Sequence, residues 1–360
     1  MSPITERDFQ SALPLSPRVR SAISAAFESG WGEPQKLHQS SAKLRQALGE
    51  AREVIAIHLG LAPAELEFVG ELGFGYWSAF TGLQRQIPDS LIHSPIDRQI
   101  IHAFSREIAN SGGVVRVAEV NGLGQVRYRD AISTNPNSVV VWQGTNRETG
   151  IEQEFPQFEE KSLVFADLTA RFDLKLNEAV DVALWDPRSI GGPEGLAILG
   201  IPNGSRWRSP IPQIDQRRLF GSYSKPLLLA AAVAIDEWMT GLSEKRRYLT
   251  ELNKYARKAL ASTLPVRVVG ESAISDPRFL ALVFDGVIAE ELLREMEKSG
   301  FLIDAGSACG AGAMQPSHVL SALGFGIDGH IRLTLKLDQA EADIDLLCTA
   351  LGTALGRIKG

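Results

Sequence analysis

The sequence predicts an α/β protein: a mostly parallel sheet covered by helices, followed by a smaller α+β region. Three observations predict it. Short β-branched runs alternate with stretches of helical apolar spacing as far as Leu199. Two helical patterns in direct succession, 224–241 and 243–264, then break the alternation. A new strand-and-helix block opens at Pro265-Val266-Arg267-Val268-Val269.

In chain order, the strand signals are Leu66–Val69, Ser90–His93, 114–120, 138–142, 162–167, 181–185 and 195–199. Each is a short β-branched or apolar run of the kind that fills a sheet buried on both faces. Between them, 41–59 and 97–111 carry apolar residues at three-to-four spacing and predict helices. In the later block, 279–284 and 330–335 read as strands, and 289–299 and 339–355 as helices. The pattern divides the chain into a large α/β domain, 16–262, and a small α+β domain made of 1–15 and 263–360.

The chain has 360 residues, enough for two domains and a large core. Its 44% hydrophobic and 22% charged content is that of an ordinary globule. A net charge of −6 argues against nucleic acid or an anionic membrane as partner. The longest clean apolar run, 227–235, is far short of the roughly 20 residues of a membrane span, and its alanines suggest a buried helix. Residues 1–8 have neither the basic flank nor the apolar centre of a signal peptide. Two cysteines, Cys309 and Cys348, make no disulfide framework, and the chain reads as cytoplasmic with reduced thiols. Cys348 lies on the apolar side of the last helix and reads as core. Cys309 sits among small residues, Gly306-Ser307-Ala308-Cys309-Gly310-Ala311-Gly312-Ala313, a composition that suggests an accessible loop thiol.

Several segments carry chemistry. The strand signal at 181–185 continues into Asp186-Pro187-Arg188-Ser189-Ile190-Gly191-Gly192-Pro193-Glu194-Gly195. Others are Trp31-Gly32-Glu33-Pro34-Gln35-Lys36-Leu37-His38, Asn146-Arg147-Glu148-Thr149-Gly150, Asp304-Ala305-Gly306-Ser307-Ala308-Cys309 and Ile331-Arg332-Leu333-Thr334-Leu335. Their order and spacing resemble the cysteine desulfurases of the class V aminotransferases along nearly the whole chain. The resemblance implies the fold-type I architecture of pyridoxal phosphate (PLP) enzymes, with a sheet of the seven-stranded type, and a homodimer. It also implies a cofactor site and a sulfur-transfer partner.

Residue by residue, the resemblance places Asp167 at the carboxylate that pairs with the pyridine nitrogen, the interaction that makes the ring an electron sink. The alternative is a strand-end aspartate capping the next turn. Asn146 falls beside the cofactor ring, or is simply a turn residue. Arg332 falls at the arginine that clamps the substrate carboxylate, a task suited to a bidentate guanidinium. Gly221-Ser222 resembles a Gly-Thr pair that reaches the other subunit's phosphate, and Cys309 falls at the sulfur acceptor.

Other positions depart from the pattern. Ser189 stands where the Schiff-base lysine belongs, and a hydroxyl forms no imine. Arg188 replaces the histidine before it, Arg98 the histidine that stacks on the ring, and Ala170 a glutamine at the phenolic oxygen. Gly70-Glu71-Leu72-Gly73-Phe74-Gly75-Tyr76 stands for Ser-Gly-Ala-Thr-Glu-Ser-Asn, so Gly73 replaces the phosphate-cup threonine. A glycine-rich turn opening a helix still offers backbone N–H groups to a phosphate. The losses surround one cavity. They predict a cysteine-desulfurase-like protein that is catalytically degenerate and binds a small-molecule ligand or regulates a partner. Three alternatives stay open: altered chemistry on noncovalent PLP, another lysine such as Lys225 serving, and a sulfur carrier using Cys309 without PLP.

Overall fold

The computed structural model describes residues 7–359 except 30–32, 35, 88, 136, 158–160, 213–222, 271–273, 306–316 and 327–328. The elements begin with α1 (Pro17–Glu28), α2 (Gln39–Leu59), β1 (Leu66–Val69), α3 (Leu72–Gln84), β2 (Ser90–His93) and α4 (Gln99–Asn110). Then come β3 (Val114–Val117), β4 (Glu119–Val120), β5 (Val126–Arg127), α5 (Tyr128–Thr134), β6 (Val139–Gln143), β7 (Leu163–Asp167), β8 (Val182–Trp185) and β9 (Ala197–Gly200). Next are α6 (Lys225–Met239), α7 (Leu242–Thr263), β10 (Arg267–Val269), β11 (Phe279–Val283) and α8 (Ala289–Lys298). The last are β12 (Asp304–Ala305), α9 (His318–Ala322), β13 (His330–Thr334) and α10 (Glu341–Lys359).

The main sheet has seven strands in the order β1-β9-β8-β7-β6-β2-β3. Only β9 runs against its neighbours. Apart from the edge strand β3, its strands are buried on both faces, which is why they read as short, mostly apolar runs. Along β6, Val139 and Val141 join the cluster that holds Tyr76, Phe80 and Ile101 of α3 and α4. Val140 and Trp142 face the opposite cluster, with Ile55 of α2 and Leu228 of α6. The two-residue alternation of Cβ atoms along a strand produces this split.

A second, antiparallel sheet has the order β10-β11-β13-β12. The N-terminal segment reaches it: Phe9 N–H donates to the Leu302 carbonyl at 2.8 Å, and Thr334 N–H to the Phe9 carbonyl at 2.8 Å. Leu280, Leu282, Ile331 and Leu333 of this sheet belong to the same apolar cluster as Val140 and Trp142. Core is thus continuous between the two sheets.

One strand expectation is corrected. The run 114–120 is not a single strand: β3 ends at Val117, and Glu119–Val120 pairs instead with Val126–Arg127. The reason is position. β3 is the edge of the main sheet and largely exposed, so nothing holds the run in register beyond its pairing with β2.

Candidate ligand cleft at the strand ends

Strands β2, β6, β7 and β8 run parallel, so their carboxyl ends open on one edge. Ligands of open α/β sheets bind at such edges. The turn after β2 delivers Arg98, the N-cap residue of α4. The turn after β6 delivers Asn146 and Arg147, β7 ends in Asp167, and a 3₁₀ turn after β8, Pro187–Ile190, holds Arg188 and Ser189. Glycines close two of these turns in the left-handed conformation, Gly150 at φ 76° and Gly191 at φ 78°. A Cβ on Gly150 would also meet the Phe279 Cβ at 2.9 Å.

The structure brings Asp167 and Arg98 together, with two further residues between them. The Tyr76 hydroxyl donates to Asp167 Oδ2 at 2.5 Å. Thr169 covers the other oxygen, its hydroxyl at 2.6 Å and its backbone N–H at 3.0 Å from Asp167 Oδ1. Arg98 Nη1 donates to the Tyr76 and Thr169 oxygens, at 3.1 Å each, and its guanidinium lies 5.6 Å from the Tyr76 ring centre. Tyr76 is fully buried, and burial first, then the Asp167 charge, pushes its hydroxyl well above the usual phenol range against the pull of Arg98. It therefore stays protonated and is the donor to the carboxylate. Arg98, hydrogen-bonded to the Tyr76 oxygen and near the Asp167 and Asp186 carboxylates, has its guanidinium raised further above its ordinary value, so it stays charged.

Other residues predicted to touch the cofactor are also committed elsewhere. Asn146 donates to the Ile96 carbonyl at 2.9 Å and Gln143 Oε1 at 3.0 Å, while its own oxygen accepts from Glu148 N, Thr149 N and the Thr149 hydroxyl. The oxygen of that side chain closes its own turn, and the amide nitrogen ties that turn to Gln143 and to the Ile96 carbonyl after β2. The Ser189 hydroxyl donates to the Asp186 carbonyl at 2.8 Å. Gly73 lies in the first turn of α3, but the N-terminus there is capped by Glu71, whose carboxylate accepts from Phe74 N at 2.9 Å. A Cβ at Gly73 would meet Glu71 Oε2 at 2.8 Å. A carboxylate on these amides competes with a phosphate and repels it, so the expected phosphate cradle at Gly73 is corrected.

These contacts are the test of whether the residues present fit PLP, and they do not fit it. Asp167 has both oxygens hydrogen-bonded, the Ser189 hydroxyl is turned onto its own backbone, and the N-terminus of α3 carries the Glu71 carboxylate. No step through the cofactor follows from this cleft.

Arg188 folds back on the turn. Its N–H, Nε and Nη2 all reach the Asp186 carboxylate, and Nη1 reaches Glu194 at 3.0 Å. Arg332 pairs with Asp304 at 3.1 Å. Lys225 is the first residue of α6, behind its N-cap Ser224. Cys348 is buried in the core, as predicted, and burial pushes its thiol up. Cys309, Gly221 and Ser222 lie outside the described residues.

Sequence reasoning passed over three residues. Tyr76 stands where the pattern set against 70–76 ends in asparagine, and Arg147 lies inside the Asn146–Gly150 motif; their residue types were the available signal. Arg278 had none. It is 1% exposed, bonds Asp276 through Nε and Nη2, and donates to the carbonyls of Ser189 at 2.7 Å and Ala170 at 2.6 Å. It ties the β7 and β8 turns together beneath the cleft.

Sheet order, helical cover and a cleft at the strand ends define a fold-type I PLP-transferase architecture. Solved structures match it: a NifS-like protein at a TM-score of 0.88 with 20% identity, over 97% of this chain and 99% of that one. A cysteine desulfurase from Thermococcus onnurineus matches at a TM-score of 0.84 with 15% identity, over 98% and 94%. The family model for class V aminotransferases matches residues 224–347. A cysteine desulfurase of Trichormus azollae is 23% identical over 98% of this chain and 93% of its own length. A putative cysteine desulfurase of Bacillus subtilis is 26% identical over 92% and 91%. The chain is thus similar to cysteine desulfurases along most of its length and to the class V aminotransferases over residues 224–347.

Proposed function

We propose that this protein does not desulfurate cysteine and that its old cofactor cleft serves ligand binding, in a regulatory or partner role beside an active enzyme. The observation that carries the reading is the closed network of Tyr76, Asp167, Thr169 and Arg98. It satisfies the ring-nitrogen carboxylate with the chain's own hydroxyl groups. Ser189 supports it independently, since the anchoring amine and the base that would move a substrate proton are both missing. Loss of a general base alone typically costs about 10²–10⁴-fold in rate.

The test is borohydride reduction of protein incubated with PLP, followed by peptide mass mapping. The expected result is no phosphopyridoxyl-lysine on any peptide. A stoichiometric label at Lys225 or another lysine overturns the reading and makes the chain a PLP enzyme with a relocated anchor.

A further inference from the structure

A cavity of about 480 Å³ lies against the turn that carries Ser189, touching it at Ile190 and Gly191. Residues 13–16, α6, α7 and the chain just after β13 close around it. Its buried wall is apolar: Ile190, Ala234, Trp238, Leu249 and Leu335 are each at most 6% exposed. Leu337, at 40%, marks the outer side. Sites for small organic molecules have volumes of roughly 300–1,000 Å³ and walls of this kind, with a few polar groups that fix orientation. Tyr76, Asp167, Thr169 and Arg98 take no part in it. Arg278 links the two regions, since it lines the cavity and donates to the Ser189 and Ala170 carbonyls.

The charged groups around the cavity select the head group of a ligand. Three are cationic, and each is already answered. Lys245 Nζ donates to the carbonyls of Glu237, of Trp238 at 3.0 Å and of Thr240 at 2.6 Å. Arg278 is held by Asp276 and by its two carbonyls. The buried Lys336 ammonium lies 2.6 Å from Asp8 Oδ2. Two groups are anionic, and they are less committed. Asp338 is exposed, and its carboxylate has no partner among the described residues. Glu237 Oε2 accepts from the Ser16 hydroxyl at 2.5 Å, while Oε1 faces only Arg18, 3.5 Å away and 68% exposed. Exposed pairs of that length contribute little. The unmet charge at the rim is therefore negative.

We infer that this cavity binds a small organic amine, with its aryl or alkyl body against Trp238, Leu249 and Leu335 and its ammonium at Glu237 and Asp338. Apolar burial supplies most of the affinity, and the carboxylates supply the selectivity. The site lies apart from the former cofactor cleft and goes beyond the reading proposed above, so neither stands or falls with the other.

The experiment is calorimetric titration of the full chain near neutral pH, at constant ionic strength, with 4-phenylbutylamine, 4-phenylbutanol and 5-phenylpentanoate. These share a phenyl ring on a four-carbon chain and differ only in the head group. Saturable binding of the amine is expected. It should be about three- to tenfold tighter than that of the alcohol, the scale of one or two half-exposed ion pairs, with the carboxylate weakest. Glu237→Gln combined with Asp338→Asn should bring amine and alcohol level. Ala234→Phe, which puts a ring into the cavity from its buried wall, should weaken all three by about tenfold or more. Leu337→Cys leaves the buried wall unaltered. Saturating amine should slow its alkylation by iodoacetamide, read by mass mapping of that peptide, and this protection decides the matter if Ala234→Phe fails to fold. Absence of saturable binding by all three molecules overturns the inference. So does an alcohol or carboxylate that binds as tightly as the amine, undiminished binding to folded Ala234→Phe, or no protection at position 337.

Discussion

At Asp167 a ligand would have to displace a phenol already in place. Breaking the Tyr76 bond without replacing it leaves a buried acceptor short, at about 1–3 kcal/mol, and leaves a large ring in the space. On the proposed reading, an amine at position 189 alone is not expected to give a desulfurase. Ser189→Lys is expected to release no sulfide from L-cysteine above a no-protein control, with excess PLP and thiol present. Tyr76, Arg98, Ala170 and Gly73 remain as they are, and catalytic groups that act as a unit recover little one at a time. Robust turnover by the single variant would mean that the cleft is otherwise intact. A second residue-scale prediction concerns Arg278. Arg278→Met leaves Asp276 buried and unpaired, so urea unfolding should show a loss of about 3–5 kcal/mol. A loss within about 0.5 kcal/mol, the usual range for surface substitutions, would contradict the clamp.

Among the elements, β2, α4 and α9 bring three histidines into a chain. The His102 ring lies 5.1 Å from His93 and 4.9 Å from His318, edge to face in both cases. His318 Nε2 bonds the Asp97 carbonyl at 2.7 Å. Burial first, then the fields of His93 and His318, pushes His102 down to about 4, and burial lowers His93. The unfolded chain takes up these protons near the ordinary histidine value of 6.5, so the stabilising contribution is complete above that pH. It is lost as pH falls toward 4. Buried Asp97 is raised and works in the opposite direction, so the comparison must be with a variant that retains it. Between pH 7 and 4.5, wild type should lose on the order of 1–2 kcal/mol relative to His102→Asn, after screening of the partly exposed ring. Parallel urea midpoints for the two proteins would sink this assignment.

At the same scale, β1 and β2 have the bounds their short runs predict, although Glu67, Ser90 and His93 within them are polar and buried. The run 114–120 misled because edge strands are half solvent, and pairing rather than composition decides where they stop. In the cleft, Ser189 and Arg188 were legible as departures within a local motif. The Tyr76–Asp167 bond was not, since its partners are 91 residues apart. Arg278 reaches Ser189 across 89 residues and Ala170 across 108. Contacts of that length come from the fold, and no local pattern announces them.

For the whole molecule, the resemblance implies a homodimer with the cleft near the subunit interface, and interfaces of that kind are large and apolar. Light scattering at micromolar protein is expected to give twice the chain mass; a stable monomer would contradict the proposal and with it any role for Ser222 across an interface. The central claim is that the fold of a cysteine desulfurase survives here around a cleft that no longer takes its cofactor. The most direct measurement is an absorbance titration of the purified protein with PLP, then with L-cysteine, with sulfide measured in the same sample. The account predicts a spectrum equal to the sum of protein and free PLP, and sulfide at the no-protein level. A new protein-bound PLP band that changes on adding L-cysteine, with sulfide released, would contradict it.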